Sequence, residues 1–196
     1  MGFLTLSFFP AYNKEENKGG VKMEKALIVD LPYPNTEGIK EDFRSASIIA
    51  PAYASQHSEL GAILQYVYHH FYFEKLGDDE TASTLVRISV AEMKHLNLLG
   101  EVLIKLGVDP VFTRKPPYKT EFFSSSCISY SKTAKKMLLD DISGEMLAIN
   151  EYNLMLEKLE NEEVSAIIKR ILLDEELHLL ALKKCMKNLM EFSSNC

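Results

Sequence analysis

Two short words, each written twice, constrain this chain more than any other feature. E-x-x-A-I-x-x-Y occupies residues 59–66 and again 145–152, while E-x-x-H occurs as Glu92-Met93-Lys94-His95 and as Glu175-Glu176-Leu177-His178. All four words sit in stretches where apolar residues recur at three and four positions, the period of a helix with one buried face. The words alternate along the chain, so it reads as two related helical hairpins.

From about residue 50 onward the pattern is helical nearly throughout and strand-like alternation is absent. A first long helix is expected from about Pro51, which a first turn tolerates, to Leu76, stopping at Gly77-Asp78-Asp79. One of those aspartates caps a second helix reaching about Gly107. Residues 108–130 hold Pro110, Pro116, Pro117 and a serine cluster, which marks an irregular connection. A third helix follows from about Ser131 to Leu159, and Asn161 caps a fourth that runs to about Phe192. Two tight hairpins joined by one long connection predict an all-α four-helix bundle with a crossover, because an up-down-up-down bundle needs only short loops.

In an antiparallel hairpin, residues equidistant from the turn sit level. Midway between 59 and 92 lies 75.5, beside Gly77, and midway between 145 and 175 lies 160, beside Asn161. Glu59, Glu92, His95, Glu145, Glu175 and His178 are therefore expected near one cross-section, facing the apolar seam. Four buried carboxylates would be ruinous as bare charges, since desolvating even one costs several kcal/mol. Two divalent cations would offset them. A mixed oxygen and imidazole set suits iron or manganese, and the absence of thiolate argues against structural zinc. The competing reading is that Glu and His are simply common on helix surfaces.

At these residues, over about 50 to 190, the sequence resembles the ferritin-like superfamily, which includes bacterioferritin, rubrerythrin and manganese catalase. The resemblance implies a ferritin-like four-helix bundle and a homo-oligomer. It also implies that Glu59 and His95 bind one metal ion and Glu145 and His178 the other, with Glu92 and Glu175 bridging. Rubrerythrins usually carry an extra Glu one turn before the helix-three ligand and a cysteine-rich iron domain. Here Ile142 occupies that turn and no C-x-x-C exists, which weakens a peroxide reductase reading. The second hairpin's Glu-to-Glu spacing, 145 to 175, is shorter than the first, 59 to 92, and closer to that of manganese catalases. Met93 follows a ligand Glu as the haem-binding Met of bacterioferritin does. A surface or interface methionine is the simpler reading, and haem is not expected.

Tyr66 and Tyr152 lie two turns beyond their glutamates on the same face, where a phenol can hydrogen-bond a ligand carboxylate or simply pack in the core. His69 and His70 lie about 15 Å beyond Glu59 by helical rise, too far to be ligands. His57, two positions from Glu59, should face elsewhere; all three histidines read as ordinary.

With a net charge of −6 and its lysines and arginines scattered among acids, the chain offers no footprint for nucleic acid. No apolar run is long enough to span a bilayer, so no membrane partner is expected. The cysteines, Cys127, Cys185 and Cys196, are odd in number and widely spaced, which fits a reducing cytoplasm. The apolar opening lacks a basic start and a cleavage site, so it is not read as a signal peptide. Residues 1–22 show no period that matches the rest. Gly19-Gly20 can be encoded by GGAGG, a ribosome-binding sequence, shortly before Met23, so translation is expected to start at Met23 and residues 1–22 to lie outside the native coding sequence. Residues 23–49 then form a lead-in and 50–196 the bundle.

Three functions compete. The first is a dinuclear iron or manganese enzyme acting on peroxide or oxygen, catalase- or peroxidase-like, in which Glu92 or Glu175 shuttles protons. The second is ferroxidase and iron storage of bacterioferritin type, which requires a many-subunit shell. The third is a non-catalytic helical scaffold or coat component.

Overall fold

A computed structural model describes residues 24–113, 115 and 118–194; the expected start at Met23 and the extension before it lie outside the described residues. Among the described residues there are five α-helices: α1 Phe43–Ala54, α2 Glu59–Leu76, α3 Asp79–Lys105, α4 Ala134–Lys158 and α5 Glu162–Ser194. Helices α2 to α5 form a ferritin-like four-helix bundle, and α1 packs against α2, α3 and α4.

The hairpin turns follow from local chemistry. Gly77 ends α2 in the left-handed conformation (φ 75°), and the Asp78 side chain accepts from Thr81 N to start α3 at once. Asn161 Oδ1 likewise accepts from Val164 N, 3.0 Å away, at the start of α5.

The single long helix expected from Pro51 to Leu76 is in fact two. Asp42 caps α1 by accepting from Ser45 N at 3.1 Å, so Pro51 lies inside a helix that begins earlier. The chain then breaks over 55–58, and Ser58 caps α2 by accepting from Gly61 N. No glycine or proline marks the break. Its signal is the serine pair around Gln56-His57, an N-cap cue inside an uninterrupted apolar rhythm.

Cross-bundle contacts fix the topology. Tyr152 pairs with Glu59 and Tyr66 with Glu145, so partners in α4 run backward as α2 runs forward. His95 with Asp174 and His178 with Glu92 make the same statement for α3 and α5. Each of these helix pairs is antiparallel, which leaves α3 and α4 parallel and requires their connection to run the length of the bundle. That connection is pinned on the way. Phe112 stacks on Tyr53 with ring centroids 5.4 Å apart, Ser129 N donates to Gln65, and the Tyr72 hydroxyl donates to Lys132 O.

Two apolar clusters fill the bundle. One, around Ile49, Leu99, Leu103 and Ile171, occupies the α1 end; the other, around Phe73, Leu85, Leu138 and Leu182, occupies the opposite end. The polar cluster described next lies between them.

Candidate metal centre

Each bundle helix contributes to one buried cluster. Glu59 comes from the first turn of α2, Glu92 and His95 from α3, Glu145 from α4, and Glu175 and His178 from α5; all six side chains are buried. Their donor atoms form two groups, Glu59, Glu92, His95 and Glu175, and Glu92, Glu145, Glu175 and His178. Within each group every atom lies within 4.8 Å of the others, so each could hold a metal ion.

Glu92 and Glu175 belong to both groups because each spans two imidazoles. Glu92 Oε2 lies 2.8 Å from His95 Nδ1 and Glu92 Oε1 lies 3.1 Å from His178 Nδ1. Glu175 offers Oε1 to His95 Nδ1 at 3.0 Å and Oε2 to His178 Nδ1 at 3.9 Å. Glu59 approaches only His95 Nδ1, and Glu145 only His178 Nδ1, both at 3.7 Å. Both imidazoles turn Nδ1 inward, and their rings stack with centroids 5.9 Å apart.

Behind them, His95 Nε2 lies 3.1 Å from Asp174 Oδ2 and His178 Nε2 lies 2.8 Å from Leu27 O. The Tyr66 hydroxyl donates to Glu145 and the Tyr152 hydroxyl to Glu59, so each tyrosine supports the glutamate of the other hairpin.

The electrostatics follow from burying four carboxylates and two imidazoles together. Burial, then neighbouring carboxylates, raise Glu59, Glu145 and Glu175 above the usual carboxylate range. Burial pushes Glu92 the same way, but His178 and His95 hold it well below that range. Burial favours neutral imidazoles, and the surrounding carboxylates outweigh it, raising both His95 and His178. Buried Glu92 Oε1, Glu175 Oε1 and His178 Nδ1 have no hydrogen-bond partner among the described residues. Atoms at 3 Å without hydrogen-bond alignment, facing one another in an oxygen and imidazole set, fit divalent ions between them.

A cavity of about 90 Å³ reaches the cluster from one side. Its walls include Glu59, Tyr66, Glu145 and Tyr152, with Gln56, His57 and Ser58 from the helix break and Cys127 from the long connection. The break that was not expected thus shapes the approach, and His57 stands at that approach rather than among the donors. Neither His95 nor His178 lines it; both are fully buried, with Asp174 and Leu27 against their Nε2 atoms. Met93 is 46% exposed on α3, apart from the cluster.

Sequence reasoning missed Asp174, which is concealed in the run Asp174-Glu175-Glu176 that reads as a solvated acidic stretch. It also missed a second buried pair. His69 Nδ1 lies 2.8 Å from Asp141 Oδ1, with Gln65 Nε2 donating to the same oxygen. Asp141 is one turn before Glu145 on the same face, which was the available signal.

A family model, the ferritin-like domain, matches residues 54–191. The chain belongs to the ferritin-like family. No curated protein matches it in a sequence search. Among solved structures it is similar to KatB, a manganese catalase from Anabaena PCC7120. They share 19% identity over 87% of this chain and 80% of that one, with a TM-score of 0.66. It is also similar to the bacterioferritin of Rhodobacter capsulatus, solved with a metal-free dinuclear site and haem iron. That pair shares 22% identity over 78% of this chain and 89% of that one, with a TM-score of 0.62. At such identities the likeness speaks for the fold.

Proposed function

We propose that this ferritin-like chain is a dinuclear iron or manganese oxidoreductase acting on peroxide or oxygen, with dismutation of hydrogen peroxide as its leading reaction. The observation that carries the reading is the sharing of Glu92 and Glu175 between two four-donor groups beside one small cavity. Glu59 and His95 would hold one ion and Glu145 and His178 the other, with Glu92 and Glu175 shared between the two groups. Bound there, iron or manganese would supply two-electron redox chemistry.

The protein's own groups handle the protons. In dismutation one peroxide leaves as oxygen, giving up two electrons and two protons, and a second takes both and leaves as two waters. Glu92 or Glu175, the two carboxylates shared by both donor groups, would carry protons at a carboxylate oxygen left free by the ions. In the metal-free cluster the two imidazoles outweigh burial and hold Glu92 as an anion. Tyr66 and Tyr152 orient Glu145 and Glu59.

Metal analysis of anaerobically prepared protein, followed by oxygen evolution from hydrogen peroxide, tests this directly. Two ions per chain and steady oxygen release are expected, with His95→Ala and His178→Ala each losing metal and turnover. No bound transition metal, with wild type and both variants alike, overturns the dinuclear reading and leaves the scaffold reading.

A ferroxidase and storage role is the second reading, favoured by the fold shared with a bacterioferritin. It calls for a closed many-subunit shell, so light scattering decides: a shell supports storage, and a small homo-oligomer supports the enzyme. Half-exposed Met93 is free of the cluster, and a Soret band in purified protein would assign it to haem.

A further inference from the structure

The four bundle helices provide every proposed donor, yet they do not finish the centre. Both imidazoles present Nε2 to the outside of the bundle, where a segment preceding α1 crosses α3 and α5. Its path is set by hydrogen bonds. Leu27 N donates to Arg87 O at 2.9 Å on α3, and Arg87 Nε reaches back to Lys25 O. On α5, Arg170 Nη2 donates to Val29 O at 2.8 Å and to Leu31 O at 2.9 Å, Arg170 Nε donates to Leu31 O, and the guanidinium lies 4.3 Å from the centroid of the Tyr33 ring. Arg170 is 5% exposed, and the Nε and Nη2 groups of this buried guanidinium would lose their acceptors if the segment departed.

What the segment does there is specific. Leu27 O lies 2.8 Å from Nε2 of His178. Val29 N donates to Asp174 Oδ1 at 2.7 Å and the Tyr33 hydroxyl to Asp174 Oδ2 at 2.5 Å, and Asp174 Oδ2 faces Nε2 of His95. Arg170 Nη1 completes the setting of Asp174 at 2.8 Å. An imidazole whose Nε2–H is committed to an acceptor presents its Nδ1 lone pair on the other side, with the ring held in one orientation.

We infer that residues 27–33 act as a positioning strap that fixes the tautomer and ring orientation of both His95 and His178 toward the proposed dinuclear centre. The inference rests on the reading of His95 and His178 as Nδ1 ligands. It assigns separate tasks within the strap: Leu27 serves the His178 half-site, and Tyr33, through Asp174, serves the His95 half-site. The ring of Tyr33 also closes on His95 edge-on, with centroids 6.2 Å apart.

The division of tasks is what the experiment reads. The full chain is titrated with Zn(II), a diamagnetic probe, in wild type, Tyr33→Phe and Leu27→Pro. Binding is followed by calorimetry, and the ring nitrogens by long-range proton–nitrogen NMR. Tyr33→Phe keeps the ring over Arg170 and removes one donor to Asp174; Leu27→Pro removes the N–H that anchors the Leu27 carbonyl. Wild type should bind two ions, with both rings protonated at Nε2 and both protons slow to exchange. Tyr33→Phe should weaken one ion about 10-fold and speed exchange at His95 alone, and Leu27→Pro should weaken the other by about 10- to 100-fold and disturb His178 alone. Should Leu27→Pro lose its helical signal, Tyr33→Phe and Arg170→Lys decide the question at His95.

Two ions in wild type, one lost in each of His95→Ala and His178→Ala, but strap variants with unchanged affinity and exchange overturn the strap while sparing the dinuclear reading. Equal weakening of both ions by each variant marks a merely structural role and overturns it as well. Fewer than two ions in wild type overturn the dinuclear reading and the strap together.

Discussion

The hydroxyl of Tyr66 donates to Oε1 of Glu145, and Tyr152 returns the relationship to Glu59. Each half of the internal repeat thereby orients a carboxylate of the other. Burial, then the neighbouring carboxylates, hold both phenols far above their usual pKa, so they remain donors wherever the fold survives. Tyr66→Phe should weaken manganese binding about 10-fold at the Glu145 and His178 half-site, and Tyr152→Phe should do so at the Glu59 and His95 half-site. Calorimetric titration with Mn(II) resolves the two. Loss of both ions in either variant would contradict this assignment.

Proton release should accompany metal uptake. Glu59, Glu145 and Glu175 are raised by burial, and His95 and His178 by the carboxylates that outweigh burial, so the metal-free cluster holds protons near neutral pH. An ion must displace them. Because the proton-bound form competes with metal, affinity should rise as pH rises from about 6 to 8. Titration calorimetry in buffers of different ionisation enthalpy measures the release directly; a pH-independent affinity would refute it.

Metal removal should cost stability, because the ions offset mutual repulsion among buried carboxylates. At a free ion concentration 100 times its Kd, each site contributes about 2.7 kcal/mol. For a chain of this length that is a rise in Tm of about 5–10 °C per ion. Scanning calorimetry before and after chelation, with Mn(II) added back, checks the value. An unchanged Tm would show that no ion discriminates folded from unfolded chain.

The bundle was legible because the two Glu and His words repeat at helical spacing and because symmetric counting from Gly77 and Asn161 places their members at one level. What escaped has a common physical cause: it depends on partners distant in sequence. Asp174 looks solvated until Val29 and Tyr33, more than 140 positions earlier, are laid beside it. The lead-in was featureless as a pattern since, Tyr33 apart, its role is carried by backbone carbonyls and the N–H groups of Leu27 and Val29, which leave no residue signature. The break at 55–58 escaped for a local reason, a capping serine without a glycine or proline. His69 was read as ordinary from its distance along α2; it is no donor to the cluster, yet it is fully buried against Asp141.

That buried pair makes a separable prediction. The Asp141 carboxylate is held by His69 Nδ1 and Gln65 Nε2, neither of them one of the six cluster residues. Asp141→Ala leaves a buried imidazole without its hydrogen-bond partner and should destabilise the fold by about 1–3 kcal/mol. Two ions per chain should still bind. Chemical denaturation and metal analysis on the same sample distinguish this from a direct role at the centre, which would lower the metal content.

The two imidazoles differ in what stands behind them, and this should order the loading. His95 is backed by a carboxylate, His178 by a neutral carbonyl. Burial works to raise Asp174, but His95, Tyr33, Arg170 and the Val29 N–H together hold it well below the carboxylate range, so it is an anion behind His95. A carboxylate accepting the Nε2–H makes Nδ1 a stronger donor than a carbonyl does, and loss of such a partner lowers metal affinity about 10- to 100-fold. The first ion should therefore enter the Glu59 and His95 half-site and the second the Glu145 and His178 half-site. Repulsion between ions would also separate two binding events, so the assignment rests on variants. His95→Ala should abolish the tighter event and His178→Ala the weaker. Asp174→Asn keeps the shape and removes the charge, and should draw the two affinities together by weakening the first. If His178→Ala abolishes the tighter event instead, the carboxylate behind His95 does not set the order.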